Sequence, residues 1–171
     1  ESDVVIARVT ARASVPIIVG VSAPGLAAIK ALADSAMDKG AAGVMVAPPS
    51  HLRTDDQITG YFQMVADVLG KAPWVIQDFP LVTGVQMSPK MIRAIFDSCP
   101  TAVMLKHEDW PGLDKISTLR GQEAAGARRV SVLCGNGGQF LLEEVLRGAD
   151  GAMTGFAYPE MMADVVRLVK A

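Results

Sequence analysis

The chain has 171 residues, half of them hydrophobic and a fifth charged, with a formal net charge of −2. That length accommodates one sizeable core, and the charge supplies no basic surface for nucleic acid. No apolar run reaches the roughly 18 residues of a membrane span, and Cys99 and Cys134 show neither CxxC nor metal-ligand spacing, so the expectation is a cytoplasmic protein without a signal peptide, carrying free thiols.

The chain opens on ESDVVIARVTARA, an amphipathic helix on which Val4, Val5, Ile6 and Val9 can share an apolar side; it closes on DVVRLVKA, again helical, and both ends read as cut from a longer chain. Between them one unit recurs: a short β-rich run, a polar loop and a longer amphipathic helix. Strands are predicted at Pro16–Val21, Gly43–Ala47, Trp74–Asp78, Ala102–Lys106, Val130–Cys134 and Gly151–Thr154. Each is apolar on successive residues, as in a parallel sheet covered on both faces. Helices are predicted over Gly25–Lys39, Asp55–Leu69, Pro89–Ser98, Leu113–Ala125, Gln139–Arg147 and Pro159–Lys170. Thr54 with Gln57 has the capping-box pattern, and Ser88 precedes Pro89 at a first helical position. Gly40, Gly70, Gly126 and Gly148 supply stop signals, and the methionines Met37, Met64 and Met91 read as core fillers.

Strict strand–helix alternation means βαβ units and a parallel sheet. Such a chain is either a doubly wound sheet or part of an eight-stranded TIM barrel. A Rossmann sheet carries a glycine-rich fingerprint after its first strand; here "SAPG" follows Pro16–Val21. The expectation is therefore an α/β fold, an incomplete (β/α)8 TIM barrel forming one domain over residues 1–171. Two βα units are missing from it, because six alone leave open edges and an unfilled interior.

In either architecture functional groups gather where strands end, and those loops hold most of the unusual residues. Lys106 closes the apolar run "TAVMLK". A lysine inside a barrel loses solvation, which favours a neutral, nucleophilic amine able to form a Schiff base with a ketone. The other reading pairs Lys106 with Glu108 or Asp109, its head reaching water. Strand alternation sends His107 outward and returns Glu108 to the side of Lys106, for structural pairing or for chemistry. "CGNGG" either lets backbone N–H groups approach an anion or only permits a tight turn. His51 and Arg53 in "APPSHLRTD" are solvated loop positions or substrate contacts.

The order "VPIIVGVSAPG", "GAAGVMVAPP", "VIQDFPLVTG", "VMLKHED", "VLCGNGG" and "GADGAMTGFAYPE" resembles the dihydrodipicolinate synthase / N-acetylneuraminate lyase family, pyruvate-type class I aldolases on a TIM barrel. The resemblance extends over essentially the whole chain, as the third to eighth barrel units, and implies that Lys106 is the Schiff-base lysine. It also implies a homo-oligomer, dimer or tetramer. The departures are specific. The family's proton-relaying tyrosine corresponds to Gln77, and an amide is no practical acid or base. The synthase's arginine corresponds to Val82, and a Gly-Asp pair corresponds to Gly135-Asn136. The Thr-Thr-Gly segment and the C-terminal helical extension fall outside the chain.

The expected function is a lyase, an aldolase or dehydratase, acting on pyruvate or a related 2-oxo acid and distinct in substrate from the lysine-biosynthesis enzyme. Its covalent intermediate is an imine with Lys106, with no metal or diffusible cofactor. Gln77, Thr83, Gly135, Asn136 and Met153 are expected to shape the substrate pocket. Tyr158, in "GFAYPE", is expected as the replacement proton relay, its other reading being a loop tyrosine packed on Pro159. The alternative function is a non-catalytic 2-oxo-acid-binding barrel that retains the lysine. The fragment by itself is expected to be inactive.

Overall fold

The structure is a computed structural model that describes residues 2–171; Glu1, part of the predicted first helix, lies outside the described residues. Strands β1 (Ile18–Gly20), β2 (Gly43–Val46), β3 (Trp74–Asp78), β4 (Ala102–His107), β5 (Ser131–Cys134) and β6 (Gly151–Ala152) form one six-stranded sheet in sequence order. Every neighbouring pair is parallel. The helices are α1 (Ser2–Arg12), α2 (Leu26–Asp38), α3 (Asp55–Leu69), α4 (Pro80–Thr83), α5 (Pro89–Ser98), α6 (Leu113–Ala124), α7 (Leu141–Leu146) and α8 (Pro159–Lys170). Successive strands joined by helices and paired in sequence order are the winding of a TIM barrel, here an open part of one, as the strand–helix alternation predicts.

The helix starts follow their local signals. Thr54 Oγ1 accepts from Gln57 N at 3.3 Å while Gln57 Oε1 accepts from Thr54 N at 3.3 Å, so α3 begins on a complete capping box. Ser88 Oγ accepts from Met91 N at 3.1 Å ahead of Pro89 in α5. The four predicted stop glycines all adopt positive φ, a conformation that a side chain would strain. Among the described residues no helix is long and apolar enough to cross a membrane.

One face of the sheet carries the core. Val46, Trp74, Ile76, Leu105 and Val132 are fully buried beneath the helices. Phe62 of α3 stacks on Trp74 with ring centroids 5.8 Å apart, and the indole N–H donates to Thr101 Oγ1 at 3.2 Å. Truncating an aromatic of that kind costs about 3–5 kcal/mol, a large share of a domain's stability. On the opposite face Val75 is buried, but Met45, Gln77, Met104, Lys106 and Leu133 are only half-buried. The expectation of a sheet covered on both faces thus holds on the helix side alone, because the other face is the concave interior of the partial barrel.

Several local expectations are corrected. β6 ends at Ala152 instead of Thr154, since an edge strand has one neighbour and its ladder stops where β5 stops, at the Cys134–Ala152 pair. α7 begins at Leu141 instead of Gln139. Asn136, Gly137 and Gly138 take φ of 46°, 67° and 76° in a short 3₁₀ turn, which delays the helix. A single helical turn, α4, occupies the loop after β3, opened by Pro80 and closed by left-handed Gly84. Met64, expected in the core, is 48% exposed, because the buried stripe of α3 runs through Ile58, Tyr61, Phe62, Val65 and Leu69. The valines of α1 are likewise exposed.

β4 contains an irregularity that the sequence does not announce. Trp74 pairs with Ala102, but the next residue of β3, Val75, pairs with Met104. Val103 is the extra residue of a β-bulge. Ala102 and Leu105 consequently both face the helices although three positions separate them, and Lys106 faces the interior.

Candidate active site

β3 and β4 run in register beyond the bulge, so Gln77 pairs with Lys106 and Asp78 with His107. Alternation then sorts these four residues into two polar layers, one on each face of the strand ends. The inner layer holds Gln77 and Lys106 and is joined by Glu108, whose N–H donates to Asp78 O at 2.8 Å as the chain leaves β4.

Lys106 Nζ lies 3.1 Å from Glu108 Oε1, and both side chains are largely buried, 14% and 7% exposed. Gln77 Nε2 donates to the same Oε1 at 2.7 Å. The amide that stands where the resemblance puts a phenol thus holds the carboxylate that faces the lysine. Two further residues fix Glu108. Asn136 Nδ2 donates to its backbone carbonyl at 2.7 Å. Gly135 lies flat against its side chain: a Cβ on Gly135 would stand 2.1 Å from Glu108 Cγ and 2.9 Å from Cδ. Gly135 N also donates to His107 O at 2.8 Å, tying the end of β5 to β4.

The outer layer is a separate buried network. Lys115, in the first turn of α6, donates to Asp78 Oδ2 at 2.7 Å and lies 2.8 Å from Asp109 Oδ2. Burial pushes the Asp78 carboxyl up, against the pull of the Lys115 ammonium. Burial also acts upward on Asp109, but hydrogen bonding from Lys115, its charge and the Trp110 N–H outweigh it, leaving that carboxyl below its ordinary range. His107, expected to point outward, does so and is fully buried, with Nδ1 3.3 Å from Glu144 Oε2. Its Nε2 presses on Gly112, where a Cβ would come within 2.5 Å. Burial first, then the nearby Glu144 carboxylate, pushes the Cys134 thiol up to about 12, and both cysteines are free.

Of the residues singled out in the sequence, the structure brings Gln77, Lys106, Glu108, Gly135 and Asn136 into one chain of contacts. Thr83, Met153 and Tyr158 stand on neighbouring loops outside it. The Thr83 hydroxyl serves its own turn, donating to Phe79 O at 3.0 Å and accepting from Val85 N at 3.2 Å. Met153 follows β6, its N–H donating to Cys134 O at 2.9 Å. Tyr158 precedes α8, 58% exposed and edge-on to Phe156 with centroids 6.1 Å apart. Lys115 was not singled out, since a lysine in a first helical turn reads as a surface residue until Asp78 is placed beside it.

A buried amine with a carboxylate in direct contact, at the C-terminal end of a barrel strand, can form imines and pass protons. Comparison with known proteins points the same way. Residues 3–171 match the model described as the Dihydrodipicolinate synthetase family. A crystal structure of dihydrodipicolinate synthase from Rhodopseudomonas palustris superposes with a TM-score of 0.96 at 56% identity, over 99% of this chain and 57% of that one. The "Putative 2-dehydro-3-deoxy-D-gluconate aldolase YagE" of Escherichia coli K12 is 27% identical over 144 residues, 82% of this chain and 46% of YagE. The structure of YagE in complex with pyruvate superposes with a TM-score of 0.81 at 25% identity, over 99% of this chain and 56% of that one. The chain therefore spans about half the length of the relatives it matches.

Proposed function

The chain belongs to the dihydrodipicolinate synthetase family, and from that premise we propose that it carries the imine-forming half of a lyase acting on pyruvate or a related 2-oxo acid. Lys106 is the nucleophile. The observation that supports this most directly is an amine 14% exposed, on the interior face at the end of β4. Its neutral form attacks C2 of the 2-oxo acid, the C–N bond forms as the C=O π bond opens, and the oxygen leaves as water. The imine nitrogen then accepts the electron pair of a neighbouring C–C or C–O bond as that bond breaks. The imine is the covalent cofactor of this scheme, and the scheme calls on no metal. That YagE was crystallised in complex with pyruvate supports the substrate class by kinship.

The substrate beyond the 2-oxo acid is read from the departures. Gln77 and Val82 stand where the resemblance puts the tyrosine and arginine of the lysine-biosynthesis enzyme, and Val82 is exposed on α4. We therefore assign a different acceptor or leaving group, with Gln77, Thr83, Gly135, Asn136 and Met153 shaping its place. The whole protein acts as a homo-oligomer, dimer or tetramer. Tyr158 serves the proton at the substrate's outer end; Tyr158→Phe then slows turnover at least roughly tenfold, and unchanged turnover removes it from the reaction.

Borohydride trapping tests the central claim. The full chain is incubated with pyruvate, reduced, and mapped by mass spectrometry. An adduct of pyruvate on Lys106 is expected, and its absence with every 2-oxo acid tried would sink the reading. An adduct without turnover of any 2-oxo acid would favour the second reading, a binding barrel that keeps the lysine.

A further inference from the structure

We propose that Glu108 is a catalytic residue of this site: its carboxyl group moves the protons between the Lys106 nitrogen and the oxygen of the 2-oxo acid. The inference rests on the reading that Lys106 forms the imine. It is carried by geometry. Oε1 of Glu108 lies 3.1 Å from Lys106 Nζ, inside the range for direct proton transfer. The carboxylate is held from three elements: by the Gln77 amide on β3, by its own backbone on Asp78, and by Gly135 and Asn136 after β5. Its second oxygen, Oε2, makes no hydrogen bond to a described residue, which leaves it free to bear a proton. Gln77 donates to Oε1 and cannot take a proton from it, so the amide orients the carboxyl group while the carboxyl group does the transfer.

The step balances. Lys106 starts as an ammonium and Glu108 as a carboxylate. A 2-oxo acid entering beside Glu108 brings a second carboxylate next to a side chain that is only 7% exposed, and the repulsion between like charges is relieved when Glu108 takes the ammonium proton. The freed amine attacks C2, and Glu108 returns its proton to the carbonyl oxygen, giving a carbinolamine with a positively charged nitrogen. Glu108 then removes one nitrogen proton and delivers it to the hydroxyl group. Water leaves as the nitrogen lone pair closes the C=N bond. The net change is ammonium plus ketone to protonated imine plus water, with Glu108 regenerated as carboxylate.

The test is the rate at which Lys106 is trapped by pyruvate and borohydride in the full chain. Glu108→Gln keeps the shape and the Gln77 contact but removes the proton carrier, and is expected to slow adduct formation at least about 100-fold. The groups against Glu108 are Lys106, Gln77 and Asn136, with Cys134 adjacent, and only Lys106 and Cys134 among them titrate besides Glu108 itself. The pH profile of adduct formation should therefore lose one limb in Glu108→Gln. Glu108→Asp should recover part of the rate, and formate should rescue Glu108→Ala in a concentration-dependent way. A wild-type adduct with an equally fast Glu108→Gln adduct overturns the role of Glu108 and leaves the imine standing. A slow variant with an unchanged pH profile and no rescue by Asp or formate makes Glu108 structural and also overturns it. No adduct in the wild type overturns both readings.

Discussion

Replacing Gly135 with alanine tests the architecture of the site through a single methyl group. The new Cβ would stand 2.1 Å from Glu108 Cγ, so ordinary contact requires a displacement of about 1.3 Å. The backbone offers little relief, because His107 O lies 3.0 Å from the same position. The side chain of Glu108 must instead swing away, losing Gln77 and Lys106 together. Overpacking of this kind costs about 1–3 kcal/mol, which lowers Tm by roughly 2–12 °C at about 2–4 °C per kcal/mol for a chain of this size. Calorimetry reads the stability, and borohydride trapping reads the rate at which Lys106 captures pyruvate; both should fall. The decisive measurement is a double-mutant cycle with Glu108→Ala, which removes the colliding atoms. In that background Gly135→Ala should cost much less, a coupling that contacting residues show and distant ones do not. Additive losses would refute the claim that Gly135 exists to make room for Glu108.

Three further outcomes are expected. Lys115→Met strands the buried Asp78 carboxylate, and with it the half-buried Asp109, and should cost about 3–5 kcal/mol in a urea titration; a loss below about 1 kcal/mol would mean the pair is solvated. Burial acts upward on Asp150, but hydrogen bonds from Arg129 and Val132 N–H and the charges of Arg129 and Arg120 hold its carboxyl below the ordinary range. A depressed folded-state value contributes stability above the unfolded pKa of about 3.9, lost as pH falls through the folded value. Asp150→Asn should therefore be less stable than wild type near neutrality and flatten the acid limb of a stability–pH curve; an unchanged acid limb contradicts this. Cys134, buried and pushed up to about 12, should resist iodoacetamide at pH 8 until the chain is unfolded, and rapid alkylation of the native protein would show that the end of β5 opens readily.

Much of this is legible in the residues. The capping box at Thr54, the stop glycines and the unbroken apolar strands give the βα winding, since each depends on neighbours close in sequence. Lys106 stands out for the same reason, a charge closing an apolar run. What is not legible is relational. Lys115 becomes a buried ion only beside Asp78, 37 positions away. Gly135 reads as a turn glycine until Glu108 is laid against it. The facing of Lys106 depends on an offset between two strands, and Ala102 and Val103 are both apolar enough to hide it.

That offset gives β4 something like a reading frame. Val103 shifts every later residue of the strand to the other side of the sheet relative to an unbulged chain. Lys106 and Glu108 then share the interior while His107 and Asp78 share the helix side. Were the bulge absent and Val103 paired with Val75, the same letters would deliver the imidazole to the interior and press the ammonium group under the helices. The chemistry available at this barrel mouth thus depends on how the strand absorbs one surplus apolar residue: deleting Val103 would leave Lys106 opposite Gln77 on the interior side, whereas ironing out the bulge with Val103 retained would turn the site inside out.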